Sequence, residues 1–150
     1  MKMTIIGLGN MGRSIAERLK QVGGFEIVEC EKNDDVNEKL QESDAFIIAV
    51  KPQTFDGLAD FISVDLSDKF AISIMAGVTV EKLKKSLHMK RVVRAMPNLG
   101  VKVGAGMTGW VGSDELLKED TELVKKIFGS IGKEMCMGER LLDTLSAISG

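Results

Sequence analysis

The sequence predicts an α/β fold: a doubly wound, mainly parallel sheet with helices on both faces. Three observations carry that expectation. Short, almost wholly apolar runs recur along the chain, as in strands covered on both sides. The segments between them repeat apolar residues at spacings of three and four. The first apolar run also passes straight into a Gly7-x-Gly9-x-x-Gly12 turn that opens a helix.

Met3-Thr4-Ile5-Ile6 is the first strand. In the turn behind it, Gly7 allows the tight bend, Gly9 lets a pyrophosphate approach the backbone, and Gly12 lets helix and strand pack closely. The amides that open the helix face such a phosphate with the positive end of the helix dipole. From Met11 onward, Ile15, Leu19 and Val22 share a face with Met11, and Gly23-Gly24 stops the helix. Phe25 to Cys30 is the second strand and closes a β-α-β unit. Glu31 lies 19 positions after Gly12, where a carboxylate binds the ribose hydroxyls of an adenosine; its plainer reading is a solvated loop carboxylate.

The alternation continues. Asp44 to Val50 reads as a strand buried on both faces, stopped by Lys51-Pro52, and Thr54 to Ile62 as a helix with Phe55, Leu58, Ala59 and Ile62 inward. Phe70 to Met75 is a strand ended by Ala76-Gly77; Thr79 caps a helix running through Leu87, with Glu81 in its first turn. Arg91 to Met96 is a strand broken by Pro97-Asn98, and a glycine-rich stretch from Gly104 to Gly112 carries another around Met107 to Val111. Asp120 to Ser130 is a helix with Leu123, Ile127 and Phe128 inward, Lys133 to Met137 a last short strand, and Leu141 to Ile148 helical. The pattern is Rossmann-like. Ligands of such sheets bind at the carboxyl ends of the strands, so the loops that matter are 7–12, 31–32, 50–53, 75–78 and 96–98.

Composition bounds the function. With 150 residues, 44% of them hydrophobic, the chain makes about one domain. A formal charge of −2, without a basic patch interleaved with aromatics, argues against nucleic acid, and no apolar run approaches the roughly 20 residues that span a bilayer. Met3 already belongs to the first strand, so no signal peptide is read, and the expected location is cytoplasmic. Cys30 and Cys136 are read as reduced thiols packed as small buried hydrophobes. No cysteine or histidine cluster suggests a metal, no Ser/His/Asp set suggests a nucleophile, and His88 lies outside every ligand loop.

The loops carry a resemblance. Ala49-Val50-Lys51-Pro52, Ser73-Ile74-Met75-Ala76-Gly77-Val78-Thr79 and Arg94-Ala95-Met96-Pro97-Asn98 are similar to signature stretches of the pyrroline-5-carboxylate reductase family. Gly104-Ala105-Gly106-Met107-Thr108 and the final Asp143 to Gly150 resemble its next two stretches in order. That family makes proline by reducing a cyclic imine with a nicotinamide hydride. The resemblance implies NAD(P)H as cofactor and pyrroline-5-carboxylate as substrate. It implies that Gly7, Gly9, Asn10, Met11 and Gly12 line the pyrophosphate, that Ala49, Val50, Lys51 and Pro52 run along the adenosine and ribose, and that Met75, Ala76, Gly77, Met96, Pro97 and Asn98 flank the nicotinamide. Plainer readings stand beside these: a solvated Lys51 at the end of the sheet, an internal ion pair for Arg94, and core filling for Met75 and Met96. No residue is singled out as the catalytic acid, since hydride transfer asks the protein for orientation.

Three departures shape the expectation. Leu99-Gly100 stands where the family usually has threonine-proline. Glu31-Lys32 stands where it commonly has a basic residue and a hydroxyl for the phosphate of NADP; a carboxylate repels that phosphate, which tips the expectation toward NADH. Residues 1–138 are read as the dinucleotide-binding domain and 139–150 as the start of the connection to a helical domain that the sequence does not contain. Leu141, Leu142, Leu145 and Ile148 are expected to form an apolar face open to a second copy or a partner. Two other functions remain open: a nicotinamide-dinucleotide-binding module without turnover, or one that depends on a partner, and a 6-phosphogluconate-dehydrogenase-like reductase with a different substrate.

Overall fold

The computed structural model describes residues 1–98, 100 and 104–149. Leu99, Gly150 and the side chain of Ile148, which enter the readings above, lie outside the described residues. Along the chain follow β1 (Lys2–Ile6), α1 (Asn10–Val22), β2 (Glu26–Cys30), α2 (Val36–Glu42), β3 (Ala45–Ile48), a 3-10 turn (Pro52–Thr54), α3 (Phe55–Phe61), β4 (Phe70–Ser73), α4 (Val80–Leu87), β5 (Val92–Met96), β6 (Gly106–Gly112), α5 (Lys118–Ser130), β7 (Gly132–Cys136) and α6 (Glu139–Ser149).

All these strands join one sheet in the order β2-β1-β3-β4-β5-β6-β7. β1 to β5 are mutually parallel, β6 is antiparallel to β5, and β7 is parallel to β6. The reversal follows from chain length: residues 97–105 are fewer than the dozen or more that a parallel crossover needs.

Side chains alternate across the central strands. Met3, Ile5, Ala45, Ile47, Phe70 and Ile72 join Ile15, Ala16 and Leu19 of α1 and Val124, Ile127 and Phe128 of α5 in one core. Ile6, Phe46, Ile48 and Ala71 enter a second core with Val36 and Leu40 of α2, Phe55 and Ala59 of α3 and Leu83 and Leu87 of α4. Burial on both faces is why these strands read as continuous apolar runs.

Some readings needed correction. α2 was not foreseen, yet its signal is present: Asp35 Oδ1 accepts from the Glu38 amide at 3.2 Å, and Val36 and Leu40 are buried one turn apart. Val22, expected inward, is exposed at the last residue of α1. Cys30 is buried, and burial raises its thiol pKa, but Cys136 is exposed because β7 is the edge of the sheet. Leu142, expected on an open face of α6, is buried against β6, where Gly109 leaves room for it; Leu141 and Leu145 are exposed. No helix among the described residues is long and apolar enough to cross a membrane.

One ion pair ties the residue before β5 to the first turn of α5. Arg91 grips Asp120 with Nε at 2.7 Å and Nη2 at 2.6 Å, while Asp120 also accepts the Leu117 amide at 2.9 Å and so caps α5. Burial alone would raise the Asp120 carboxyl, but the Arg91 guanidinium and the Leu117 amide together hold it below its ordinary value. Its stabilising contribution is therefore complete above the unfolded carboxyl value of 3.8 and is lost as pH falls through the lower folded value. Asp120→Ala is expected to cost about 3 kcal/mol at neutral pH. Urea unfolding at pH 7 and at pH 3 checks this: the gap between variant and parent should narrow in acid, and equal stability at pH 7 would contradict the pair's role.

Candidate functional site

Because β1 to β5 run parallel, their carboxyl ends lie along one edge, and the loops at 7–12, 31–34, 49–54, 74–78 and 96–98 gather there. The strand order reverses between β1 and β3, so the glycine turn after β1 sits at the switch point of the sheet.

Each glycine in that turn has its own steric account. Gly7 has φ +93°, and a Cβ on it would stand 2.8 Å from the Ala49 backbone. A Cβ on Gly12 would stand 2.1 Å from the Gly7 carbonyl oxygen and 3.0 Å from the Ala49 Cβ. These two are glycine because α1, β1 and the end of β3 pack without space for a methyl group. A Cβ on Gly9 would meet nothing within 4 Å. Among the described residues no neighbour requires glycine there, and open space lies in front of it. Gly9 is also the N-cap of α1 and supplies no side chain to its opening amides, and no acidic residue occupies the first turn. The turn thus presents opening amides that have no acceptor in their own helix, and a positive helix end, to open space.

Two clefts flank the turn. The first, of about 770 Å³, lies toward β2 and α3. Of the residues singled out from sequence, Gly7, Glu31, Lys32 and Val50 line it, and Asn33, Asp34, Thr54, Gly57, Leu58 and Phe61 join them. Its β2 end carries charges of both signs, Glu31 and Asp34 beside Lys32. Glu31 is exposed with Arg13 Nη2 at 3.9 Å, while Asp34 accepts from Lys39 Nζ and from the Glu31 amide. The Lys39 ammonium, with help from that amide, lowers the Asp34 pKa. Lys39 Nζ is also bound to the Glu29 carbonyl at 2.6 Å, which ties up its charge. Lys51 and Pro52 are exposed and open the 3-10 turn, the Lys51 carbonyl accepting from the Thr54 amide and hydroxyl; with Ala49 they stand outside the lining of either cleft.

The second cleft, of about 670 Å³, lies toward β4, β5 and α6. Met75, Ala76, Met96, Pro97 and Asn98, which the resemblance groups around the nicotinamide, line it together with Met11, which the resemblance gives to the pyrophosphate, and Gly77 follows at φ +75°. Asn98 Oδ1 accepts from the Gly100 and Met107 amides, both at 3.1 Å, so the side chain braces its own loop. Leu142 and Ser146 reach this cleft from α6 and were not foreseen as site residues. Arg94 also lines it, while its guanidinium makes the internal ion pairs of the plainer reading, with Glu139 at 3.2 Å and Asp143 at 2.5 Å. Phe61 and Leu142 belong to no motif, and Ser146 lies in the 143–150 stretch of the resemblance without a role there; the placement of α3 and α6 brings them to the edge.

The chain is similar to proteins of known family. The family model for the NAD binding domain of 6-phosphogluconate dehydrogenase matches residues 2–102. The pyrroline-5-carboxylate reductase of Aquifex aeolicus is 32% identical over all of this chain, which covers 62% of that relative. The Escherichia coli pyrroline-5-carboxylate reductase is 31% identical over 99% of this chain, covering 63% of its own length. The crystal structure of Plasmodium falciparum pyrroline carboxylate reductase with NADP bound superposes with a TM-score of 0.91 at 26% identity, covering 100% of this chain and 62% of that one. The chain thus spans about 62% of the length of the first two of these relatives and of the solved structure.

The glycine geometry separates packing from binding. Gly9→Ala is expected to leave stability within about 0.5 kcal/mol, since the methyl group meets no protein atom, but to weaken any dinucleotide that occupies the open space. Gly12→Ala is expected to lower stability by about 2 kcal/mol through overpacking. Thermal melts with and without NADH distinguish the two; a Gly9→Ala chain that still bound normally would remove the turn from the site.

Proposed function

The chain carries an NAD-binding domain of the 6-phosphogluconate dehydrogenase type and belongs to the pyrroline-5-carboxylate reductase family, and we propose on that premise that it is the cofactor-binding part of an enzyme reducing 1-pyrroline-5-carboxylate to L-proline. The observation that carries this reading is the open space before Gly9, set at the switch point with a cleft on either side. An extended molecule with a diphosphate at its middle fits that arrangement. In this reading Gly9, Asn10 and Met11 hold the diphosphate through backbone amides, with Gly7 and Gly12 shaping the turn. Glu31, Lys32, Ala49, Val50, Lys51 and Pro52 run along the adenosine. Met75, Ala76, Gly77, Met96, Pro97 and Asn98 surround the nicotinamide. When bound, the reduced dinucleotide supplies a hydride.

The residues of the second cleft have a modest chemical task. A protonated cyclic imine is already electrophilic, so the protein's part is to hold the two reacting partners together and keep water out. Buried Met75 and the half-buried Met96 and Pro97 suit that task. No side chain is assigned as a proton donor.

We favour NADH over NADPH as the cofactor. Glu31 and Asp34 place two carboxylates at the end of β2, and Lys39 is held by Asp34 and the Glu29 carbonyl. A phosphate on the adenosine ribose would meet the exposed Glu31 carboxylate, a repulsion that Lys32 and Arg13 offset in part. We also place a contact for a second copy or a partner on residues 141–148, through Leu141 and Leu145.

Titration with NADH and NADPH, followed by pyrroline-5-carboxylate in the same sample, tests the whole reading. Tighter binding of NADH is expected. Glu31→Ser should bring NADPH closer by roughly fivefold, about 1 kcal/mol of relieved repulsion. Binding without turnover would mark this chain as the cofactor part alone, turnover would make it a complete reductase, and failure to bind either nucleotide would overturn the reading. Sedimentation across a range of concentrations checks the contact: a species that stays monomeric throughout would remove it.

A further inference from the structure

One carboxylate, outside the lining of the second cleft, joins three elements that lie beside it. Glu139, the first residue of α6, accepts at Oε2 from two donors: Arg94 Nη1 at 3.2 Å and the Val80 amide at 2.8 Å. Arg94 lies on β5 two residues before Met96, and Val80 opens α4 directly behind the 75–78 loop. One turn further along α6, Asp143 takes the other guanidinium nitrogen at 2.5 Å. Arg94 is only 2% exposed. A guanidinium so deeply buried requires its partners, since an unpaired charge in that position is strongly unfavourable. The Val80 amide is one of the opening amides of α4, which lack an acceptor within their own helix, and a carboxylate is favoured at that positive end. Glu139 therefore satisfies two demands with one oxygen, and in doing so fixes α6 relative to both β5 and α4. The face of α6 that results carries Leu142 and Ser146 into the cleft, where the Ser146 hydroxyl meets Met96 Sδ at 3.1 Å.

We infer that Glu139 is a positioning residue that holds the 75–78 loop, the end of β5 and α6 in register around the nicotinamide end of the dinucleotide. The inference rests on the cofactor reading given above. It concerns only the second cleft: Glu139 does not line the first, whose lining comes from β1, β2, α2, α3 and their loops, and its hydrogen-bond partners among the described residues are Val80 and Arg94.

That asymmetry gives the test. NADH and ADP-ribose share the adenosine and both phosphates, and only NADH carries the ring. In calorimetric titrations of the 150-residue chain, Glu139→Ala is expected to weaken NADH about tenfold while ADP-ribose stays within about twofold. Glu139→Gln keeps an oxygen for the Val80 amide and should lose only about threefold. At saturation the fluorescence of bound NADH should shift toward that of the free molecule in Glu139→Ala. Should the alanine variant fail to fold, the glutamine variant decides by the same comparison. A purely structural role would lower the melting temperature and leave the ratio of NADH to ADP-ribose affinity unchanged, which would overturn the inference while the cofactor reading stood. If the unmodified chain bound neither molecule, the cofactor reading would fall and this inference with it.

Discussion

α1 leaves β1 so steeply that a methyl group on Gly12 would overlap the Gly7 carbonyl, and Ala49, just past β3, closes the same contact from the third side. This close approach of helix to sheet sets the position of everything at the carboxyl edge. It aims the opening amides of α1 along the switch point between β1 and β3 and leaves the space before Gly9 open. A helix standing farther off would relieve the crowding at Gly12, yet it would also move those amides away from the crevice. Packing in the core and an anion-binding geometry at the edge are thus two consequences of the same contact.

On either side of that contact the chain builds unlike environments. Toward β2 the cleft ends among charges of both signs, with Asp34 holding Lys39, Glu31 lying 3.9 Å from Arg13, and Lys32 lining the same end. Toward β5 the lining is methionine, proline and alanine, with its one deeply buried charge neutralised from α6. In the reading proposed above, the first environment takes the ribose hydroxyls and the second takes the nicotinamide ring, which must be kept dry.

Much of this was legible in the chain because it is local. The first strand, the glycine turn and α1 occupy consecutive residues, and each obeys a rule that operates within a few positions. Thr79 likewise caps α4 by accepting from the Lys82 amide, as its place before the helix implied. α2 had an equally local signal in Asp35 and Glu38, but its apolar face is only Val36 and Leu40, too small to stand out in a polar stretch. Cys136 shows the opposite difficulty. A small apolar residue in a strand is ordinarily buried, and only the sheet order reveals that β7 is an edge.

By itself, then, the sequence determined the α/β alternation, the glycine turn and the loops gathered at the carboxyl edge, since periodicity and turn chemistry are short-range properties. The tertiary structure alone decided the rest. It set β6 against the direction of β5, brought Phe61 to one cleft and Leu142 and Ser146 to the other, and joined Arg94 to Glu139 and Asp143 across 45 and 49 positions of chain. Such meetings depend on which faces of which elements come to lie together. No window of neighbouring residues encodes that, because the requirement that buried charges and helix ends find partners is met only when the whole sheet has assembled.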